Sequence, residues 1–256
     1  MASAQTSDQS SERVLLAAAA DYFRTNLMSP DALVTGSAIG LVILSITTHE
    51  ASHGYVADRL GDPTAREAGR LTLNPLRHVD LFYTILLPLV LLASGSPFII
   101  GGAKPVPVNI GRLRNPRRDW ALVGAAGPLS NLAIAVGLAA LLAVGTHTGV
   151  LTRSSLGAEV LTIGMLANTV LALFNLIPIP PLDGSRVAQF FLRGWLRRAY
   201  GRLERFGFLL IFGLVLLVPA VRIALGTAAF GFVFGLAALF DVQSSVHYVL
   251  RRIFSG

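Results

Sequence analysis

Apolar positions along the chain gather into blocks long enough to cross a bilayer, separated by short stretches rich in arginine. The first block runs from Ala32 to about Tyr55, the second from about Trp120 to Val144, and the third from Glu159 to Leu176. Two further blocks, Gly207 to about Ala220 and Thr227 to Phe240, are separated by Arg222. A helix rises about 1.5 Å per residue, so about 20 apolar residues are needed for a hydrocarbon core of about 30 Å. Leu81 to Ala93 is apolar but too short to cross. It is followed by Ser96 to Asn109, in which Gly101-Gly102 stands between β-forming residues and predicts a tight hairpin. Non-helical backbone at membrane depth must be buried in protein or line a wet cavity, so 81–109 reads as a re-entrant pair. The pattern predicts an all-α polytopic membrane protein, a bundle of about five to six transmembrane helices with a re-entrant helix/β-hairpin.

Outside these blocks, residues 1–30 form a polar tail followed by an interfacial helix, Arg13 to Met28. Residues 31–256 form one membrane-embedded domain, with a catalytic core at 31–186 and C-terminal helices at 207–241. Composition agrees. The 256 residues are 53% hydrophobic and 14% charged, against roughly a quarter charged in soluble domains. The net charge of +7 comes from arginines beside the apolar blocks, Lys104 being the one lysine, so it reflects membrane orientation rather than nucleic-acid binding. Loops 58–80, 111–118 and 186–206, with the tail at Arg251 and Arg252, are expected on the cytoplasmic side of a cell (inner) membrane. The chain has no cysteine, so a metal site must use His, Asp or Glu.

Such residues are present where they are least expected. Near the inner end of the first block lies Thr48-His49-Glu50-Ala51-Ser52-His53-Gly54. His49 and His53 share one helical face and can grip one metal ion, while Glu50 can reach a water at that metal. Ionisable groups at membrane depth are costly and usually functional. Catalytic zinc takes three protein ligands, and Asp183, in Ile177-Pro178-Ile179-Pro180-Pro181-Leu182-Asp183-Gly184, is the acid placed to complete the set. The alternative is that Asp183 caps a helix or pairs with Arg186. His78, His147 and His247 read as loop or span-end residues rather than ligands. The GxxxG pairs Gly36/Gly40 and Gly231/Gly235 predict close helix packing within the chain and leave a homo-oligomer open.

With HEASH at 49–53, GGAKPVPVN at 101–109, GPLSN at 127–131 and NLIPIPPLDG at 175–184, the chain resembles the site-2 proteases, intramembrane zinc metalloproteases. It is similar to their minimal branch, without PDZ or CBS domains, although Gly101 stands where relatives often carry an aromatic residue. The resemblance implies one Zn2+ per chain held by His49, His53 and Asp183, with Glu50 as catalytic acid/base. It also implies that Asn175 helps hold substrate or oxyanion, and that transmembrane protein substrates are cut in the bilayer near its cytoplasmic side. Gly102, Ala103, Lys104, Pro105, Val106 and Asn131 are the expected substrate-binding residues. Pro105 and Pro107 remove donors from one edge of their strand, which leaves the Val106 and Val108 edge to add an extended substrate. Asn131 has an alternative role, hydrogen bonding between helices. Two rival readings use the same residues: a metal-ion transporter, or a non-catalytic membrane chaperone of the same fold. A transport path needs ionisable groups at several depths, and here they gather at one; a chaperone has no need of Glu50.

Overall fold

A computed structural model describes residues 30–80, 86, 90 and 103–255. Nine α-helices occur among them: α1 Pro30–Arg59, α2 Thr64–Glu67, α3 Pro116–His147, α4 Leu156–Asn175, α5 Asp183–Phe191, α6 Gly194–Arg202, α7 Gly207–Leu217, α8 Pro219–Leu239 and α9 Gln243–Ser255. Four of them, α1, α3, α4 and α8, are long and apolar enough to cross a membrane. The chain is therefore an all-helical, multi-pass membrane bundle. The polar tail, the interfacial helix and most of the re-entrant pair lie outside the described residues.

The first three spans match their apolar blocks to within a few residues, and their ends follow from local chemistry. Pro116 starts α3 where its missing N–H costs nothing, and the Asp119 carboxylate accepts the Asn115 N–H at 2.7 Å. Ser155 caps α4 through the Ala158 N–H. The C-terminal part differs from expectation. The break falls at Val218-Pro219 and not at Arg222, so one 21-residue span follows an 11-residue helix. Proline lacks the N–H and crowds the preceding turn, which favours a break, whereas a long arginine side chain can extend its charge away from the apolar surface.

Helix α3 is the hub, packed along α1, α4 and α5. One half of the bundle closes over a core of Ala135, Leu138, Leu142, Met165, Val233 and Val246 with their neighbours from α3, α4, α8 and α9. A smaller cluster, Ala57, Leu113 and Val123, closes the other end. Small residues bring the helices together: a Cβ on Gly164 would meet Leu41 Cδ2 at 2.1 Å, which fixes how closely α4 approaches α1. The two GxxxG pairs play no such part. A Cβ at Gly36, Gly40, Gly231 or Gly235 would have nothing within 4 Å, so their expected packing within the chain is not found.

The two ends of the bundle carry different chains of contacts. At one end Arg112 pairs with Glu67, Arg114 N–H donates to the Leu60 carbonyl, and Arg117 donates to the Phe190 carbonyl. Loops 58–80 and 111–118 and helix α5 therefore share this end. At the other, Arg252 on α9 bonds Glu159 at the start of α4 and Asp31 at the start of α1. The expectation that Arg251 and Arg252 lie with the other arginine-rich loops is corrected here. The helix that carries them packs against the opposite end of the bundle.

Between α2 and α3, residues 103–109 run as irregular chain across the flank of α1. The Lys104 N–H donates to the His78 carbonyl at 2.7 Å, and the Lys104 carbonyl accepts from Arg70 at 2.8 Å. Further on, the Asn109 N–H donates to Asp62 at 2.6 Å. No strand occurs among the described residues. The first arm and Gly101-Gly102 turn of the expected hairpin lie outside them.

Candidate metal centre

His49 and His53 lie on the face of α1 that meets α3, as their spacing of four requires. Both are buried. His49 Nδ1–H donates to the Asn131 side-chain oxygen at 2.5 Å, and His53 Nδ1–H donates to the Val123 carbonyl at 2.6 Å. A carbonyl oxygen only accepts, so the ring proton sits on Nδ1, and a neutral ring then keeps a lone pair on Nε2.

Asp183 reaches this point from the first residue of α5. Its Oδ2 lies 2.9 Å from His49 Nε2 and 3.2 Å from His53 Nε2. Gly184 makes the approach possible, because a Cβ there would meet the Leu176 carbonyl oxygen at 2.2 Å. The other carboxylate oxygen pairs with Arg186 at 3.0 Å, and that guanidinium stands 4.7 Å from the Trp120 ring centre. Facing the histidines and pairing with Arg186, alternatives in the sequence, use different oxygens and coexist. The Arg186 guanidinium beside Oδ1 favours the ionised carboxylate, the form that binds a metal.

Two nitrogen lone pairs and an anionic oxygen thus converge, and they repel one another unless a cation lies among them. Ligands about 2.0–2.1 Å from a tetrahedral zinc stand about 3.3 Å apart. The separations of 2.9 and 3.2 Å need only a small outward shift to admit one. Gly127 keeps the space open. A Cβ on it would lie 2.5 Å from Nε2 of both histidines. The N, N, O donor set suits zinc. Glu50 adds a fourth group: His49, Glu50 and His53 offer ligand atoms within 4.8 Å of one another.

Comparison with known proteins agrees with this chemistry. The signature of peptidase family M50 matches residues 143–219, a segment that includes Asn175 and Asp183. YwhC of Bacillus subtilis (strain 168), named as a candidate zinc metalloprotease, is 41% identical over 171 residues, which cover 66% of this chain and 74% of YwhC. The chain belongs to peptidase family M50. These are the site-2 proteases, and the protein is an intramembrane zinc metalloprotease. Rip2 of Mycobacterium tuberculosis (strain ATCC 35801 / TMC 107 / Erdman), also named as a candidate zinc metalloprotease, is 34% identical over 207 residues, covering 80% of this chain and 73% of Rip2. The Rip2 of Mycolicibacterium smegmatis is 31% identical over 180 residues. No solved structure matches the chain.

Other residues of this site-2 protease stand where the sequence did not put them. Asn131, expected among the substrate-binding residues, is fully buried. Besides His49, its amide reaches the Asn168 side-chain oxygen at 2.9 Å and the Ser45 carbonyl at 3.4 Å. Asn168 in turn donates to Ser45 Oγ and the Gly164 carbonyl, each at 2.9 Å. This network ties α1, α3 and α4 together behind His49, and neither Ser45 nor Asn168 stands out in the sequence. An amide inside an apolar block is the available signal, but it carries none of the charge that marks an acid or a histidine there. Asn175, at the end of α4, donates its amide to the Leu171 carbonyl at 2.9 Å, and no described contact joins it to the histidines, Glu50 or Asp183. Gly102 lies outside the described residues. Ala103 is half-buried, and Lys104 and Pro105 are exposed. The Val106 N–H is not an open donor: it donates to Glu50 Oε2 at 3.0 Å, so one of the two donors expected to add a substrate strand is already taken. His78, expected in a polar loop, is buried and bonds the Thr72 carbonyl through Nε2 at 2.9 Å.

Proposed function

We propose that His49, His53 and Asp183 hold one catalytic zinc and that Glu50 is its general base, in a protease that hydrolyses peptide bonds in or near transmembrane segments of membrane proteins. The observation that carries this reading is the approach of Asp183 Oδ2 to both histidine Nε2 atoms, at 2.9 and 3.2 Å. Zinc supplies a Lewis acid that lowers the pKa of water towards about 7 and polarises the scissile carbonyl. The chain supplies the rest. Asn131 and the Val123 carbonyl fix the two imidazoles, and Arg186 fixes the carboxylate, so the ligands need only the small outward shift that admits the ion. Glu50 takes a proton from the attacking water as the new C–O bond forms, then gives it to the leaving nitrogen as the C–N bond breaks. Asn175 gives one of its two amide N–H groups to the Leu171 carbonyl, and its oxyanion role rests on the second.

The depth of the site supports access from the cytoplasmic side of a cell membrane. His53 lies six residues before the end of α1, about 9 Å along its axis. The arginine-rich loops 58–80 and 111–118 crowd that same end. Residues 31–186 serve as catalytic core, with the helices of 207–241 packed beside it. No observation favours the transporter or the chaperone.

Asp183→Ala should lose zinc on purification, by metal analysis. Glu50→Gln should keep zinc and lose nearly all cleavage of a membrane-spanning substrate in proteoliposomes. Full zinc retention by Asp183→Ala would remove it from the ligand set; wild-type turnover by Glu50→Gln would remove the base.

A further inference from the structure

The bond between the Val106 N–H and Glu50 joins the general base to a segment with no other evident role at the metal. Val106 is 8% exposed, and its side chain is seated on α1: a Cβ on Gly54 would meet Val106 Cγ1 at 2.9 Å. Either side, the backbone is tied down by His78, Arg70 and Asp62 through Lys104 and Asn109. Four separate bonds therefore hold residues 104–109, three to the 62–78 segment and one, at the centre, to the Glu50 carboxylate on α1.

We propose that the backbone N–H of Val106 is a positioning group for the Glu50 carboxylate, carried by a strap formed by residues 103–109. This rests on the reading of Glu50 as general base. A glutamate side chain has three rotatable bonds, and a base works only within hydrogen-bond reach of its proton. Holding Oε2 leaves Oε1 to receive the proton and to pass it on. The bond also explains the alternation of Pro105 and Pro107 around Val106. Prolines stiffen the strap on both sides while the one N–H that is needed keeps its proton. Backbone is a steadier anchor than a side chain, because its direction is set by the strap's own fixings.

Kinetics and hydrogen exchange distinguish positioning of Glu50 from substrate addition at the same N–H. The experiment replaces Val106 in the zinc-loaded, full-length protein by its α-hydroxy acid, an ester that deletes only the N–H; Val106→Pro is a second route. If the N–H positions Glu50, kcat falls about tenfold or more with KM and zinc content unchanged. A rise in KM at unchanged kcat would overturn the proposal in favour of substrate pairing, and wild-type kinetics would overturn it outright. A second readout needs no turnover. Hydrogen exchange at the Val106 amide, followed by NMR on 15N-valine protein, should accelerate about tenfold or more in Glu50→Ala. It should stay slow in Glu50→Gln, whose amide oxygen still accepts the bond. Equal exchange in wild type and Glu50→Ala would overturn the proposal even if an ester variant failed to fold. Wild-type cleavage by Glu50→Gln would instead defeat the general-base reading, whatever the exchange shows.

Discussion

Gly127 lies where α3 passes the two histidines, and an alanine there would bring its methyl carbon to 2.5 Å from both Nε2 atoms. That is the space in which the lone pairs of His49, His53 and Asp183 converge. Gly127→Ala should therefore cut zinc content sharply, by about tenfold or more at limiting zinc, since ligands displaced by a fraction of an ångström lose their shared geometry. A methyl group on Gly137 of the same helix would have nothing within 4 Å, so Gly137→Ala separates the effect of filling the site from that of stiffening α3. Equal zinc in the two variants would show that the helices simply move apart. The pairing of the two histidines is readable from spacing, because a period of four on a helix places His49 and His53 together whatever surrounds them. Their supports are not. Asn131 and Asn168 are ordinary polar residues until tertiary packing aligns three helices, and the Val123 carbonyl and Val106 N–H have no side-chain signature.

The helices show where pattern is a good guide and where it fails. Block length and hydropathy locate α1, α3 and α4, since a bilayer imposes the same length on every span. In the last third the single charge of Arg222 interrupts the apolar pattern and imitates a boundary, although Pro219 is the residue with a physical reason to begin a helix. Helix α9 is legible only as a basic tail. In the structure it closes the far end of the bundle, where Arg252 bridges Glu159 and Asp31. The Glu159 side chain is 6% exposed and that of Arg252 46%, so the pair is half-screened. Arg252→Met should destabilise the protein by about 1–2 kcal/mol, chiefly by leaving the Glu159 carboxylate buried without its charge partner. Thermal unfolding in detergent should show a lower midpoint, with zinc content unchanged because the metal centre is at the other end. A midpoint equal to wild type would make α9 a passive cover.

The whole molecule is polarised, with the metal centre and the arginine-rich loops 58–80 and 111–118 toward one end and α9 on the other. Absence of cysteine makes this directly measurable. Ser244→Cys on α9 should react with a membrane-impermeant maleimide applied to intact cells or spheroplasts. Glu204→Cys, in the basic stretch after α5, should react only after permeabilisation. Both labelled from one side would break the proposed orientation. The centre itself is assembled from residues far apart in the chain, His49 and His53 on α1, Gly127 and Asn131 on α3, and Asp183 on α5. During synthesis α1 leaves the ribosome more than a hundred residues ahead of Asp183, so the HEASH helix enters the membrane before its partners exist. With Asp183 read as the third ligand, the nascent chain lacks a full ligand set until α5 is made and docks. On that reading a chain still being inserted cannot hold its zinc through three ligands before nearly three quarters of the polypeptide has been translated.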